Sequence, residues 1–167
     1  VSVDLVESVR AAVAEVPDPE LRVLSLADLG IVREVRARDD GTVVVTITPT
    51  YLGCPALEVI RADVLAAARA AGARDVEVVT SLSPPWSTDW LSDAARDKLA
   101  AVGIAPPPAR SLPLVFLPMP GVGPHRPACP RCRSADTEEL ARFGSTACTA
   151  LWRCTACREP FEHVKAH

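Results

Sequence analysis

Five of the six cysteines in this chain crowd towards its C-terminus: Cys129, Cys132, Cys148, Cys154 and Cys157. Four of them make two Cys-x-x-Cys units, CPRC at 129–132 and CTAC at 154–157, with residues 133–153 between. Each unit can turn so that its two thiolates take adjacent corners of a tetrahedron, and two units at this spacing predict a structural zinc site. Four thiolates close the coordination shell and leave no position for a substrate. The intervening segment can then form strands of a zinc ribbon. Roughly forty residues have too little core to fold unaided, so the metal is expected to supply much of the stability. A redox pair is the rival reading, but that chemistry uses one such unit in an α/β setting. Arg133 and Arg158 stand where ribbons often carry glycine, which bears on the turns and not on ligation. Cys148, in FGSTACTALWRC, reads as a buried free thiol on a ribbon strand, with a substitute zinc ligand or a second reactive thiol as alternatives. His125, His163 and His167 fall off the cysteine rhythm and are expected on the surface.

The sixth cysteine, Cys54, sits apart in TYLGCPALEVI, between a segment that alternates like a strand and one that repeats like a helix. Pro55 suits the first turn of a helix, which places Cys54 at or beside the N-cap. There the helix dipole favours thiolate over thiol, and Gly53 removes side-chain bulk beside the sulfur, as a reactive or metal-binding cysteine requires. The alternative is a small buried side chain that fills space under the loop. Thr50 and Gly53 are candidate supporting residues in the same loop. In PDPELRVLSLADLGI, Asp18 and Glu20 occupy a proline-bracketed turn, where either could cap the following segment. They could also stand beside the Cys54 thiol and ligate iron or orient a partner. Trp86 and Trp90 in SPPWSTDWL read as core or lid residues, or, if exposed, as a partner contact.

The elements that must hold these residues follow from periodicity. Val6, Val9, Val13 and Val16 line one face of a helix that Pro17 ends. IVREVRAR and TVVVTIT flank DDG as a hairpin, with Val43, Val45 and Ile47 on the greasier face. Leu57, Ile60, Val64 and Ala68 define a second helix closing on Gly72; RDVEVVTSL supplies a third strand, and LSDAARDKLAAVG a short helix capped by Ser92. The expected class is α+β: a helix-strand-strand-helix-strand domain with a mixed three-stranded sheet covered by helices, followed by the ribbon. Prolines 106, 107, 108, 113, 118, 120 and 124 mark a connector. Domains are therefore expected at 1–105 and 127–167, joined by 106–126. The apolar centre of the connector, LPLVFLPMP, should pack against the first domain or a partner.

With 167 residues, 23% of them charged, and a net charge of -3, the chain can bury one core plus a satellite. It offers no basic field for nucleic acid or an anionic membrane. No apolar run reaches transmembrane length, and the acidic, amphipathic VSVDLVESVR lacks the pattern of an export signal, so a soluble, cytoplasmic protein is expected.

DPE at 18–20, LADLGIV at 26–32, TPTYLGCPA at 48–56 and PPW at 84–86 resemble, in this order, the small domain of iron-sulfur assembly and targeting factors, long known as a domain of unknown function. Over the whole chain, PPWSTDWLSDAARDKLAAVGIAPP and FGSTACTALWRCTACREPFEHVK are similar to the D-component family of the bacterial phenylacetyl-CoA epoxidase system of phenylacetate degradation. The resemblance implies that Cys54 is a metal-handling thiol. It also implies an accessory role in maturing a multicomponent oxygenase, through transient delivery of iron or an iron-sulfur cluster to a client subunit. The residues themselves show no nucleophile and base pair, no phosphate-cradling loop and no oxidative cofactor motif, which argues against direct catalysis. A purely structural oxygenase subunit and an enzyme, either a thiol oxidoreductase or a hydrolase, remain as alternatives. A homodimer sharing a metal between two Cys54 residues is a further expectation.

Overall fold

The computed structural model describes residues 3–51, 53–108 and 126–166. These divide into two compact units, one running to Ser92 and one spanning Asp93–Ala166. In the first, α1 (Val3–Ala14) is followed by β1 (Val32–Ala37), β2 (Val43–Ile47), α2 (Leu57–Ala70), β3 (Val76–Thr80) and a single 3-10 turn at Thr88–Trp90. The sheet is mixed, as expected: β2 lies in the centre, antiparallel to β1 and parallel to β3.

The helices form where apolar residues recur at helical spacing. Val9 and Val13 of α1, and Ile60, Val64 and Ala68 of α2, are the buried positions. The α conformation stops before Pro17, since the residue preceding a proline is driven to extended backbone, and Pro17 instead forms a bridge with Ser25. Arg10 ties α1 to the sheet by donating from Nη2 to the Val35 carbonyl at 3.0 Å. In the hairpin turn, Asp40 accepts from the Thr42 N–H, and Gly41 takes a φ of 89° that a side chain would disfavour.

β2 is apolar on both faces, beyond the single greasy face that alternation predicts. Val43, Val45 and Ile47 are buried on one side, yet Val44 on the other is only 1% exposed. Its partners in register are Arg36 of β1 and Glu77 of β3, whose long stems are able to cover an apolar neighbour while their charged ends reach water.

The second unit contains α3 (Asp93–Ala101), β4 (Ile104–Ala105), β5 (Thr137–Ala141), β6 (Thr149–Cys154) and β7 (Pro160–Val164). Its sheet runs β4-β7-β6-β5, with β4 parallel to β7 and the remaining pairs antiparallel. The division therefore falls earlier than the boundary expected after residue 105: Ile104 and Ala105 extend the ribbon sheet, and α3 precedes them in the same unit. The core cluster is small, made of Ala105, Cys129, Ala150, Trp152, Cys154 and Phe161. His163, expected on the surface, is only 7% exposed. Its Nδ1 lies 3.1 Å from the Ala105 carbonyl, and its ring meets Trp152 edge-on at 6.2 Å. Pairing of β4 on β7 encloses it, and no cysteine rhythm announces that pairing.

His125, His167 and most of the connector, including LPLVFLPMP, lie outside the described residues. Among the described residues no helix is long and apolar enough to cross a membrane.

Candidate functional site

Cys54 belongs to the loop that leaves the central strand β2 and enters α2. The helix begins later than Pro55 suggests: Leu57 is its first residue, and Ala56 occupies the cap position with no side-chain cap. Leu57 N–H donates to the Cys54 carbonyl at 3.2 Å, so the cysteine sits one turn ahead of the helix. Its side chain is 9% exposed. Burial, more than any other cause, pushes the Cys54 thiol up from its ordinary range, and the carboxylates of Glu20 and Asp18 push it further. The Ala56 N–H and the Tyr51 side chain pull the other way and lose. The expected activation by the helix dipole is thus corrected. Desolvation and two acidic neighbours outweigh the single backbone N–H that reaches the sulfur.

The two carboxylates arrive by a closed loop. Asp18 Oδ1 accepts from the Glu20 N–H at 2.9 Å and the Leu21 N–H at 2.7 Å, and Asp18 N–H donates to the Leu24 carbonyl. The capping role read from the sequence is therefore filled by Asp18. Asp18 is 6% exposed, and burial pushes its carboxyl up despite the two N–H donors. Gly53 has a φ of 81°, and beyond its two chain neighbours a Cβ there would meet no atom within 4 Å. Its positive φ serves the backbone turn. Thr50 is half-buried. Its neighbour Tyr51 acts to lower the thiol, and the sequence reading missed it because an aromatic in an apolar loop looks like packing.

The two tryptophans part company. Trp86 is 7% exposed and donates its indole N–H to the Leu29 carbonyl at 2.7 Å, so it locks the LADLGIV loop and offers no surface to a partner. Trp90 is half-buried, with the Arg33 guanidinium 3.8 Å above its ring and its Cβ closing on Gly30.

The second site is the cysteine cluster. Cys129 Sγ lies 3.8 Å from Cys157 Sγ, and Cys132 Sγ lies 3.5 Å from Cys154 Sγ. All four sulfurs lie within 4.8 Å of one another. A tetrahedron with metal–sulfur bonds of about 2.3 Å has edges of about 3.8 Å, close to the two shortest sulfur pairs, so these thiols can share one zinc-sized ion. The two knuckles repeat each other: Cys129 N–H donates to the Ser134 carbonyl, and Cys154 N–H to the Glu159 carbonyl, each at 2.9 Å. Arg133 and Arg158 both adopt the left-handed backbone, with φ of 62° and 65°, as the glycine they replace would. The Cys157 N–H helps to pull the Cys154 thiol down to about 7. Cys132 gains from the Ser134 N–H, but the thiols of Cys154, Cys157 and Cys129 around it and loss of solvent hold it up at about 12. Among the described residues this is the only group of three or more His, Cys, Asp or Glu poised to share one ion; Cys54, Asp18 and Glu20 do not form another. Cys148 stays outside the cluster, buried and in no disulfide, with the Thr146 hydroxyl 3.0 Å from its sulfur.

Residues 6–80 match the iron-sulfur cluster assembly protein family, and residues 122–165 match the PaaD zinc beta ribbon domain. The chain is 42% identical over 160 residues to a protein of Escherichia coli (strain K12) named as the D component of 1,2-phenylacetyl-CoA epoxidase, covering 96% of this chain and 92% of that one. The chain belongs to the family of phenylacetyl-CoA epoxidase D components. Its first unit is also 37% identical over 93 residues to the Fe-S protein maturation auxiliary factor YitW of Bacillus subtilis (strain 168), which covers 55% of this chain and 90% of that factor. Among solved structures, the domain of unknown function DUF59 from Bacillus anthracis superposes with a TM-score of 0.52 at 31% identity, over 57% of this chain and 91% of that one. Within the segment matched to the ribbon, this chain's four cysteines are arranged as a metal site.

Proposed function

We propose that this protein is a non-catalytic accessory factor that matures the multicomponent phenylacetyl-CoA oxygenase, helping to insert iron or an iron-sulfur cluster into a client subunit through Cys54, while zinc holds the ribbon together. The observation that carries this reading is a buried Cys54 thiol that feels the carboxylates of Glu20 and Asp18, in the segment similar to Fe-S maturation factors. A thiol raised first by burial and then by two acidic neighbours is a poor free nucleophile. A cation arriving at the sulfur turns the same carboxylates from a penalty into an attraction. One soft donor with hard oxygens nearby is an incomplete ligand set, so the remaining ligands come from the client or from a second copy, and release stays easy.

Metal content of anaerobically purified protein tests the reading. About one zinc per chain is expected in wild type and in Cys54→Ser, held by Cys129, Cys132, Cys154 and Cys157. Iron taken up by wild type after iron and sulfide are offered, and absent from Cys54→Ser, supports delivery. Equal, zinc-only content in both sinks it.

The burial of Cys54 and its raised thiol favour one second reading, a structural oxygenase subunit in which Cys54 only packs. Under that reading, Cys54→Ala supports the growth of its host on phenylacetate as well as wild type does.

A further inference from the structure

One buried donor in the second unit has no acceptor. Trp152 is only 8% exposed, and among the described residues its indole Nε1–H meets no hydrogen-bond partner. A buried N–H without an acceptor is costly, and native folds keep few of them. The indole belongs to one face of the ribbon sheet. Strand register and alternation put Ala105 of β4, Phe161 and His163 of β7, Trp152 of β6 and Thr137 of β5 on that side. The end of α3 reaches the zinc end of the same face, where Val102 and Gly103 share a cleft with Cys129 and Phe161.

Both ends of the connector stand at this face, on opposite edges of the sheet. The chain leaves from β4, the outer strand on one side, and Arg96 of α3 donates from Nη1 to the Pro107 and Pro108 carbonyls at 2.6 Å and 3.1 Å. It returns beside β5, the outer strand on the other side. There the Pro127 carbonyl accepts from the buried Thr137 hydroxyl at 2.9 Å, and Arg126 donates to the Thr137 carbonyl at 3.4 Å. The Thr137 side chain shares its face with Trp152, so the return is made on the indole's side of the sheet. Four strands spaced about 4.8 Å apart are about 14 Å wide, which residues 109–125, at about 3.1 Å each when extended, cover with length to spare. The direct path between the two ends crosses β6, the strand that carries Trp152.

We propose that the apolar centre of the connector, LPLVFLPMP at 112–120, crosses this face of the ribbon and that one of its carbonyls accepts the Trp152 indole N–H. The composition fits the place. Leu112, Leu114, Val115, Phe116, Leu117 and Met119 gain by leaving water, and Pro113, Pro118 and Pro120 have no N–H, so the segment carries more acceptors than donors. Proline-rich segments dock on aromatic surfaces because they have little conformational freedom left to lose. The occupant is the chain itself because both ends of the segment are fixed at the face, which holds it near the indole at an effective concentration that a separate partner does not match. The ribbon core among the described residues is a small cluster around Trp152, Phe161 and the two buried cysteines Cys129 and Cys154. The connector enlarges that core, and the hold on the metal then depends on residues that bind none. This assignment is independent of the role given to Cys54.

The test uses the zinc-loaded full-length chain. Phe116 is replaced by the photocrosslinker p-benzoylphenylalanine, which keeps an aromatic ring at that position, and the joined peptides are identified by mass. A crosslink within one chain to residues 150–152 or 161–163 is expected. A crosslink to the first unit, a crosslink between two chains, or none at all overturns the proposal, since it places the segment on the other unit, on a second copy or in solvent. Deuterium exchange of the Trp152 indole N–H, followed by NMR and assigned with Trp152→Phe, gives a second readout. Leu114→Ser combined with Phe116→Ser is expected to speed that exchange about tenfold or more. Zinc content and circular dichroism check that the variants fold. An exchange rate that this double substitution leaves unmoved would give the N–H to another acceptor, such as a bound water, and the assignment falls.

Discussion

Trp86 Nε1 donates to the Leu29 carbonyl at 2.7 Å across 57 residues of sequence, which joins the PPW turn to the LADLGIV loop. The indole is buried, so the bond replaces water on both partners. Trp86→Phe keeps most of the apolar ring but leaves the Leu29 carbonyl without this donor. A loss of about 1–3 kcal/mol is expected, read as a lower urea midpoint with an unchanged slope. Unchanged stability would show that another donor serves that carbonyl.

Asp18 gives the first unit a pH dependence of defined sign. Burial raises its carboxyl above the ordinary 3.8, so the folded chain holds this proton more tightly than the unfolded chain does. The stabilising contribution is complete below 3.8 and is lost as pH rises through the folded value. Asp18→Asn keeps an oxygen for the Glu20 and Leu21 N–H groups and removes the charge. Its stability relative to wild type should therefore rise with pH through the carboxylate range. One of the carboxylates holding up the Cys54 thiol also disappears, so alkylation of Cys54 by iodoacetamide at neutral pH should be faster than in wild type, as mapped by peptide mass. A Cys54 rate unmoved in Asp18→Asn and in Glu20→Gln would mean that burial alone sets the thiol.

What the sequence reveals and what it hides divide along the range of the interaction. Val9 and Val13, like Ile60, Val64 and Ala68, are set by spacing within one helix, and the Cys-x-x-Cys pairs are set within one turn; these are legible because the chain writes them locally. The neighbourhood of Asp18, Glu20 and Cys54 is suggested by their loops, but the sign of the effect on the thiol is not. That sign depends on burial, which pools contributions from many distant residues. Trp86 reads equally as packing or as an interface until its acceptor, 57 positions upstream, is known. His163 is enclosed by a two-residue strand, β4, too short to carry any periodicity.

Arg133 and Arg158 hold backbone angles that cost an L-residue about 1–2 kcal/mol, and both side chains are exposed. Glycine removes that strain and returns about 0.5–1 kcal/mol through its looser unfolded chain. Arg133→Gly and Arg158→Gly should each stabilise the ribbon by up to about 1 kcal/mol, seen as slower zinc loss to a chelator. Faster loss would assign the arginine side chains a role in protecting the cluster.

Gly144 is required for a different reason. A Cβ there would come 2.5 Å from Thr149 Oγ1 and 2.9 Å from Glu162 Oε1. Glu162 could swing aside only by giving up Ser145, whose N–H and hydroxyl it accepts. Thr149 cannot move: it is fully buried at the start of β6, and its branched side chain has few rotamers. Gly144→Ala is therefore expected to cost about 1–3 kcal/mol of ribbon stability. Because the clash is chiefly with Thr149, the penalty should shrink when Thr149→Ala is already present, a coupling that a double-mutant cycle reads directly. Strict additivity of the two changes would place the strain on Glu162 instead, and Glu162→Gln would then soften it no further than Glu162→Ala does.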